Sequence, residues 1–96
     1  MVKVTYNGTV LAEDANPPVV EGNYYFPPNS VKLDVFSPSS TTSVCPWKGT
    51  ASYYNASVGG QNVNDIAWYY PHPKSSKAEH IKDHVAFYKN KVSISD

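Results

Sequence analysis

Apolar and polar residues alternate at every second position along most of this chain, together with the β-branched and aromatic side chains that favour strands. Successive side chains of a strand face opposite sides, so this period predicts strands with at least one buried face. Residues 2–6 and 9–13 are predicted as a hairpin around Asn7-Gly8, a dipeptide suited to two-residue turns because both positions accept positive φ. Residues 14–18 read as a turn and 19–21 as a short strand, with Gly22-Asn23 predicted as a second tight turn into 24–26. Pro27-Pro28 ends that strand, since proline has no N–H to give to a ladder. Asn29-Ser30 is placed to cap a short helix through Val35, although Leu33, Val35 and Phe36 fit either period. Residues 37–43, polar and punctuated by Pro38, read as a loop.

Alternation resumes over 42–57, broken at Pro46 and Gly49. Gly59-Gly60 predicts a hairpin turn with 63–70 as the return strand. In the charged stretch 74–83 and just beyond it, Ala78, Ile81 and Val85 stand at helical spacing. Residues 85–88 and 92–94 then read as a closing hairpin around Lys89-Asn90-Lys91, or 85–88 continues the helix. Repeats, low-complexity tracts and linkers are absent from the sequence. The expectation is one domain over residues 1–96, mainly β, of two antiparallel sheets with one or two short helices.

Composition narrows the function classes. A chain of 96 residues with 41% hydrophobic and 14% aromatic content has enough apolar surface for one packed core. Eight lysines balance eight carboxylates and arginine is absent, so the bidentate phosphate-binding side chain favoured in nucleic-acid recognition is missing. A nucleic-acid partner is therefore not expected. Nor is a membrane partner, because no apolar run approaches the ~20 residues of a spanning helix. The alternating start of the chain is unlike a signal peptide, and a cytoplasmic location is expected. A lone Cys45 makes no internal disulfide and no cysteine cage for zinc. His80 and His84 have i, i+4 spacing but lack a third ligand in any recognised pattern, so no metal and no cofactor is expected.

The chemistry concentrates in two blocks. Residues 45–54 hold Cys45, Trp47, Lys48, Tyr53 and Tyr54, and residues 67–73 hold Trp68, Tyr69, Tyr70 and His72. If strands bring the blocks together, Trp47, Tyr53, Trp68 and Tyr70 become the walls of an aromatic pocket able to stack on a flat or cationic ligand. Lys48 at the chain bend would supply an ammonium. Glu21, following two valines, is predicted to point inward, where burial of a carboxylate demands a partner, and Lys48 is the partner chosen. Cys45 and His72 are the candidate catalytic pair, a thiol that Lys48 would activate and an imidazole base. Tyr24-Tyr25, Tyr53-Tyr54 and Tyr69-Tyr70 form adjacent pairs, so one ring of each is predicted to face the core and one to face outward.

With Glu21-Gly22-Asn23-Tyr24-Tyr25-Phe26-Pro27-Pro28, Cys45-Pro46-Trp47-Lys48-Gly49 and Trp68-Tyr69-Tyr70-Pro71 in this order, the chain resembles the domain of unknown function 427 family over nearly its whole length. The resemblance implies a fold of the β-tent kind and no established activity. An older nucleotidyltransferase label of the family would require clustered carboxylates for magnesium, whereas Asp34, Asp65 and Asp83 are far apart in sequence with no paired-acid motif. Many β-tent relatives carry zinc on paired Cys-x-x-Cys knuckles, which this sequence lacks. One branch of that fold holds small cyclic ligands in an aromatic cage, an analogy that points to Trp47 and Trp68. The leading expectation is a small-molecule-binding β domain. The alternatives are a small hydrolase acting on an ester or phosphate in the same cleft, and a homo-oligomeric interaction module, such as a homodimer, built on outward tyrosines.

Overall fold

The computed structural model describes residues 1–96 and arranges them in nine strands with three short 3₁₀ turns. Strands β1 (Val2–Tyr6) and β2 (Thr9–Asp14) form the expected hairpin. Asn7 and Gly8 have φ of 47° and 83°, the positive pair that a type I′ turn requires. Strands β3 (Val19–Val20) and β4 (Asn23–Tyr24) make a two-stranded ribbon. Its turn is Glu21-Gly22, one residue earlier than predicted, because Glu21 itself takes up a positive φ of 52°. That shift puts Glu21 at the apex of the ribbon.

Strands β5 (Phe36–Cys45), β6 (Gly49–Val58), β7 (Gln61–Tyr69) and β8 (Ala86–Phe87) form a four-stranded antiparallel sheet in that order. Strand β9 (Ser93–Ser95) pairs with β1, giving the second sheet the order β2-β1-β9. The architecture is thus mainly antiparallel β: two principal sheets, one ribbon, and 3₁₀ turns where short helices were predicted. Those turns are Pro28–Ser30, Leu33–Val35 and Ser76–Ile81. No helix is long and apolar enough to cross a membrane.

Two expectations require correction. Residues 37–43 belong to β5 rather than to a loop, and most of them are exposed. As the edge of its sheet, β5 needs no apolar side chains on its open side, and its serines, threonines and Pro38 suit an edge that must not recruit another strand. Nor do 85–88 and 92–94 form a closing hairpin. They separate at the Lys89-Asn90-Lys91 bend and finish two different sheets. Alternation marks a strand but does not name its partner.

The four-stranded sheet is packed on both faces. On one face Ala56, Val58, Ile66, Ala67 and Phe87 meet Val2, Val4, Leu11 and Ala12 of the second sheet. On the other, Ala51, Tyr53, Tyr70 and Ala86 are covered by Ala78 and Ile81 of the last 3₁₀ turn. Tyr25 and Phe26 join these cores. Phe26 exchanges both main-chain hydrogen bonds with Val85 at 2.8 Å, an isolated antiparallel bridge just before β8. Neighbouring side chains here therefore enter opposite cores, Tyr25 the second and Phe26 the first.

A bulge sets the alternation of β7. The register between β6 and β7 shifts at Tyr54/Ala56, and β7 takes up the extra residues around Asp65, whose φ is 54°. The Asp65 carboxylate accepts hydrogen bonds from Ser39 Oγ at 2.5 Å and Thr41 Oγ1 at 2.8 Å, tying the irregular part of β5 to that of β7. The Ser39 bond first, then that of Thr41, holds the Asp65 carboxyl below its ordinary 3.8. A lowered value means that the folded state binds this proton less readily than the unfolded chain. The stabilisation is therefore present above pH 3.8 and lost as pH falls through the lower folded value. Asp65→Asn is expected to be less stable than the native protein at neutral pH, with the gap closing below pH 3.8. Urea denaturation at a series of pH values checks this, and a gap that persists unchanged into acid would contradict it.

Candidate functional site

The first aromatic block lies where β5 turns into β6. Cys45 ends β5 opposite Gly49, and Pro46-Trp47-Lys48 makes the turn. Proline presets φ near −65°, which suits the start of a turn. Gly49 opens β6 at a φ of +102°, and a Cβ on it would stand 2.8 Å from the carbonyl oxygen of His72. Glycine is thus required twice over, for its backbone angle and for the close approach of another chain segment. That segment is Pro71-His72-Pro73, stiffened by its prolines. Just beyond it the N–H of Lys74 donates to the carbonyl of Lys48 at 3.4 Å.

Lys48 is 7% exposed, the single charged residue among the buried ones. Its ammonium donates to Glu21 Oε1 across 27 residues, from the turn of one hairpin to the apex of the ribbon. It also lies 5.3 Å from the centre of the Trp47 ring and 5.5 Å from that of Tyr70, within cation–π range of both. Burial is the largest influence on Lys48 and pulls its pKa down. The Glu21 hydrogen bond, with the Tyr25 and Tyr70 hydroxyls close by, outweighs it and raises the group above its ordinary 10.5. Lys48 therefore stays an ammonium throughout the neutral range.

Behind this cation the rings of the two blocks pack on one face of the sheet. Tyr25 is fully buried and accepts a hydrogen bond from the Trp68 indole Nε1–H at 3.2 Å. Its ring meets Trp68 edge-on at 6.4 Å and lies 6.5 Å from Tyr70. Trp68 in turn lies 4.7 Å from Tyr88, which stacks on Tyr53 at 6.2 Å. The Tyr88 hydroxyl donates to that of Tyr53 at 3.2 Å, and Tyr53 shares a 2.8 Å hydrogen bond with Ser43. Burial, only partly opposed by Lys48, raises Tyr70 to about 12. The Tyr53 hydrogen bond, then burial, does the same for Tyr88, so both phenols stay protonated well past neutrality.

The structure thus brings together Glu21, Trp47, Lys48, Tyr53, Trp68 and Tyr70. Trp47 packs at the margin of the cluster, half-buried. Two further rings, Tyr25 at the buried centre and Tyr88 partly buried against the cluster, were not among the predicted site residues. The pairing of Tyr24 with Tyr25 carried the signal for one of them, but the choice of inward ring depended on the ribbon's register. Cys45 is half-buried against the same cluster. The His72 side chain is exposed, and the part of His72 that enters the site is its main-chain carbonyl over Gly49. No hydrogen bond joins Cys45 and His72 as a thiol and its base.

Tyr24, Tyr54 and Tyr69, the partners of the inward rings, are half-buried rather than outward. Tyr54 stacks on Tyr69 at 4.7 Å, and Tyr24 packs near Phe26, both against the first core. The surface hollows lie away from the indoles. One of about 260 Å³ is lined by Thr5, Tyr6, Asn7, Asn90, Lys91, Val92 and Ser93. The other, about 340 Å³, lies beside the ribbon turn at Gly22, Tyr24, Lys89 and Ile94. The two aromatic blocks form a packed cluster whose polar edge is Lys48 with Glu21.

A comparison with curated proteins found no match. Over residues 1–96 the chain matches the family described as Domain of unknown function (DUF427).

Proposed function

The chain belongs to the domain of unknown function 427 family, a membership that assigns no activity, and we propose from its geometry that it is a small-molecule-binding β domain. The carrying observation is the buried Lys48 ammonium set between the Trp47 and Tyr70 rings. A core is cheaper to build without a cation, since removing an ammonium from water costs several kcal/mol. An ammonium kept at the margin of an aromatic cluster is a means of orienting a ligand whose flat part lies on Trp47. Tyr25, Tyr53, Trp68 and Tyr88 hold that margin rigid from behind. Polar groups preorganised on packed side chains lower the ordering cost that binding must overcome.

The test is a panel of planar small molecules, neutral and charged, followed through the two indole N–H signals in nuclear magnetic resonance spectra. Compounds that bind are expected to move the Trp47 signal and to lose about ten-fold in affinity in Lys48→Met, the scale of one hydrogen bond to a charged group. Compounds that bind folded Trp47→Ala and Lys48→Met as well as the native protein would sink the proposal.

A further inference from the structure

Lys48 and Glu21 form an unequal pair. The Lys48 side chain is 8% exposed, whereas that of Glu21 is 55% exposed. Moving Glu21 fully into water costs little, because it is half hydrated already. Leaving Lys48 behind costs far more, because a buried ammonium would then lack its counter-charge. The pair therefore does not simply open. Glu21 leaves readily only when another anion takes its place.

The mounting of Glu21 suits such an exchange. It sits at the apex of a ribbon with only two residues in each strand, joined by the pairs Val19↔Tyr24 and Val20↔Asn23. Its φ of 52° is unfavourable for a residue with a Cβ. The neighbouring Gly22 carbonyl accepts a hydrogen bond from Lys89 Nζ at 2.8 Å, which keeps the ribbon in place when the Glu21 side chain swings out. We infer that Glu21 is a built-in competitor, a side-chain carboxylate occupying the position that the carboxylate of a small aromatic acid takes when it binds at Lys48 with its ring on Trp47. The inference rests on the binding face proposed above and names its ligand class.

The chemistry of the class follows from the occupant. Lys48 is a single point charge already fitted to one carboxylate, and the chain has no arginine to grip a phosphate on two oxygens. The half-buried Trp47 ring, 5.3 Å from the same ammonium, offers a flat surface beside that carboxylate. An acyclic acid would use the cation and waste the ring, and a neutral arene would use the ring and leave Glu21 where it is.

The experiment uses benzoate as the probe and benzamide as its neutral counterpart, titrated into isotope-labelled full-length protein. The Trp47 indole N–H is assigned with Trp47→Phe. Benzoate is expected to move that signal and to bind about five-fold more tightly to Glu21→Gln, because the neutral amide competes for the ammonium far less than the carboxylate it replaces. Glu21→Asp, whose shorter carboxylate reaches Lys48 poorly, is expected to change in the same direction. Benzamide is expected to bind about ten-fold more weakly than benzoate. Unchanged or weaker benzoate binding in both variants, equal binding of benzamide, or no movement of the Trp47 signal by benzoate overturns the inference. If other planar compounds still bind at Trp47 in a Lys48-dependent way, the exchange fails and the binding face stands. If none does, both fall.

Discussion

Replacing Gly49 with alanine is expected to destabilise the protein by about 3 kcal/mol or more, a large part of the ~5–15 kcal/mol that holds a domain of this size together. Two costs add. A side chain at a φ of +102° is strained wherever the residue lies. The new Cβ would also stand 2.8 Å from the His72 carbonyl, a main-chain atom held by flanking prolines that cannot rotate aside. Relief requires the 71–73 segment to lift, which breaks the 3.4 Å contact between Lys74 N–H and the Lys48 carbonyl. The damage thus reaches the ammonium as well as the fold. Gly8 is the control, with a φ of +83° but nothing within 4 Å of an added Cβ, so Gly8→Ala should show the strain alone, about 1 kcal/mol. Urea denaturation of both variants measures the difference. Equal losses would mean that the His72 approach is not held as rigidly as described.

Tyr25→Ala is expected to cost about 3–5 kcal/mol, the range for deleting a fully buried aromatic side chain. The ring has 0% exposure and fills the space between Trp68 and Tyr70. The substitution also removes the acceptor for the Trp68 indole N–H. Tyr25→Phe separates the two effects, keeping the ring and leaving that N–H without a partner, at about 1–3 kcal/mol. The Trp68 indole proton should then exchange faster with solvent in Tyr25→Phe than in the native protein. If Tyr25→Phe matches the native protein in both stability and exchange, the hydrogen bond contributes nothing.

Legibility followed how local the cause was. Asn7-Gly8 and Gly59-Gly60 announced their hairpins because a two-residue I′ turn depends on the φ of two adjacent residues, here 47° and 83°, then 58° and 81°. The Glu21–Lys48 pair was named from the sequence on the premise of an inward carboxylate, but the buried member is Lys48 and Glu21 is 55% exposed, so the charge rule gave the partners and not which of them is buried. Strand β5 was obscured because an edge strand is held by main-chain bonds to β6 and shows no buried period. One ring of each tyrosine pair was expected outside, yet Tyr54 and Tyr69 of the four-stranded sheet are half-buried, because period two distinguishes two faces without saying whether both are covered. The four-stranded sheet has a core on each.

The amino-acid sequence alone determined that this chain is mainly antiparallel β with tight glycine turns, and that its reactive and aromatic groups lie in two blocks. Those properties follow from backbone preferences and side-chain period, which act over a few residues. Tertiary structure alone decided that β8 and β9 belong to different sheets and that Tyr25 rather than Tyr24 meets Trp68. It also left His72 in the site by its carbonyl rather than its imidazole, and Lys48 buried while Glu21 stays half in water. Each of these turns on which distant segment lies alongside. That is settled by the joint packing of two faces of one sheet and not by any stretch of residues taken singly.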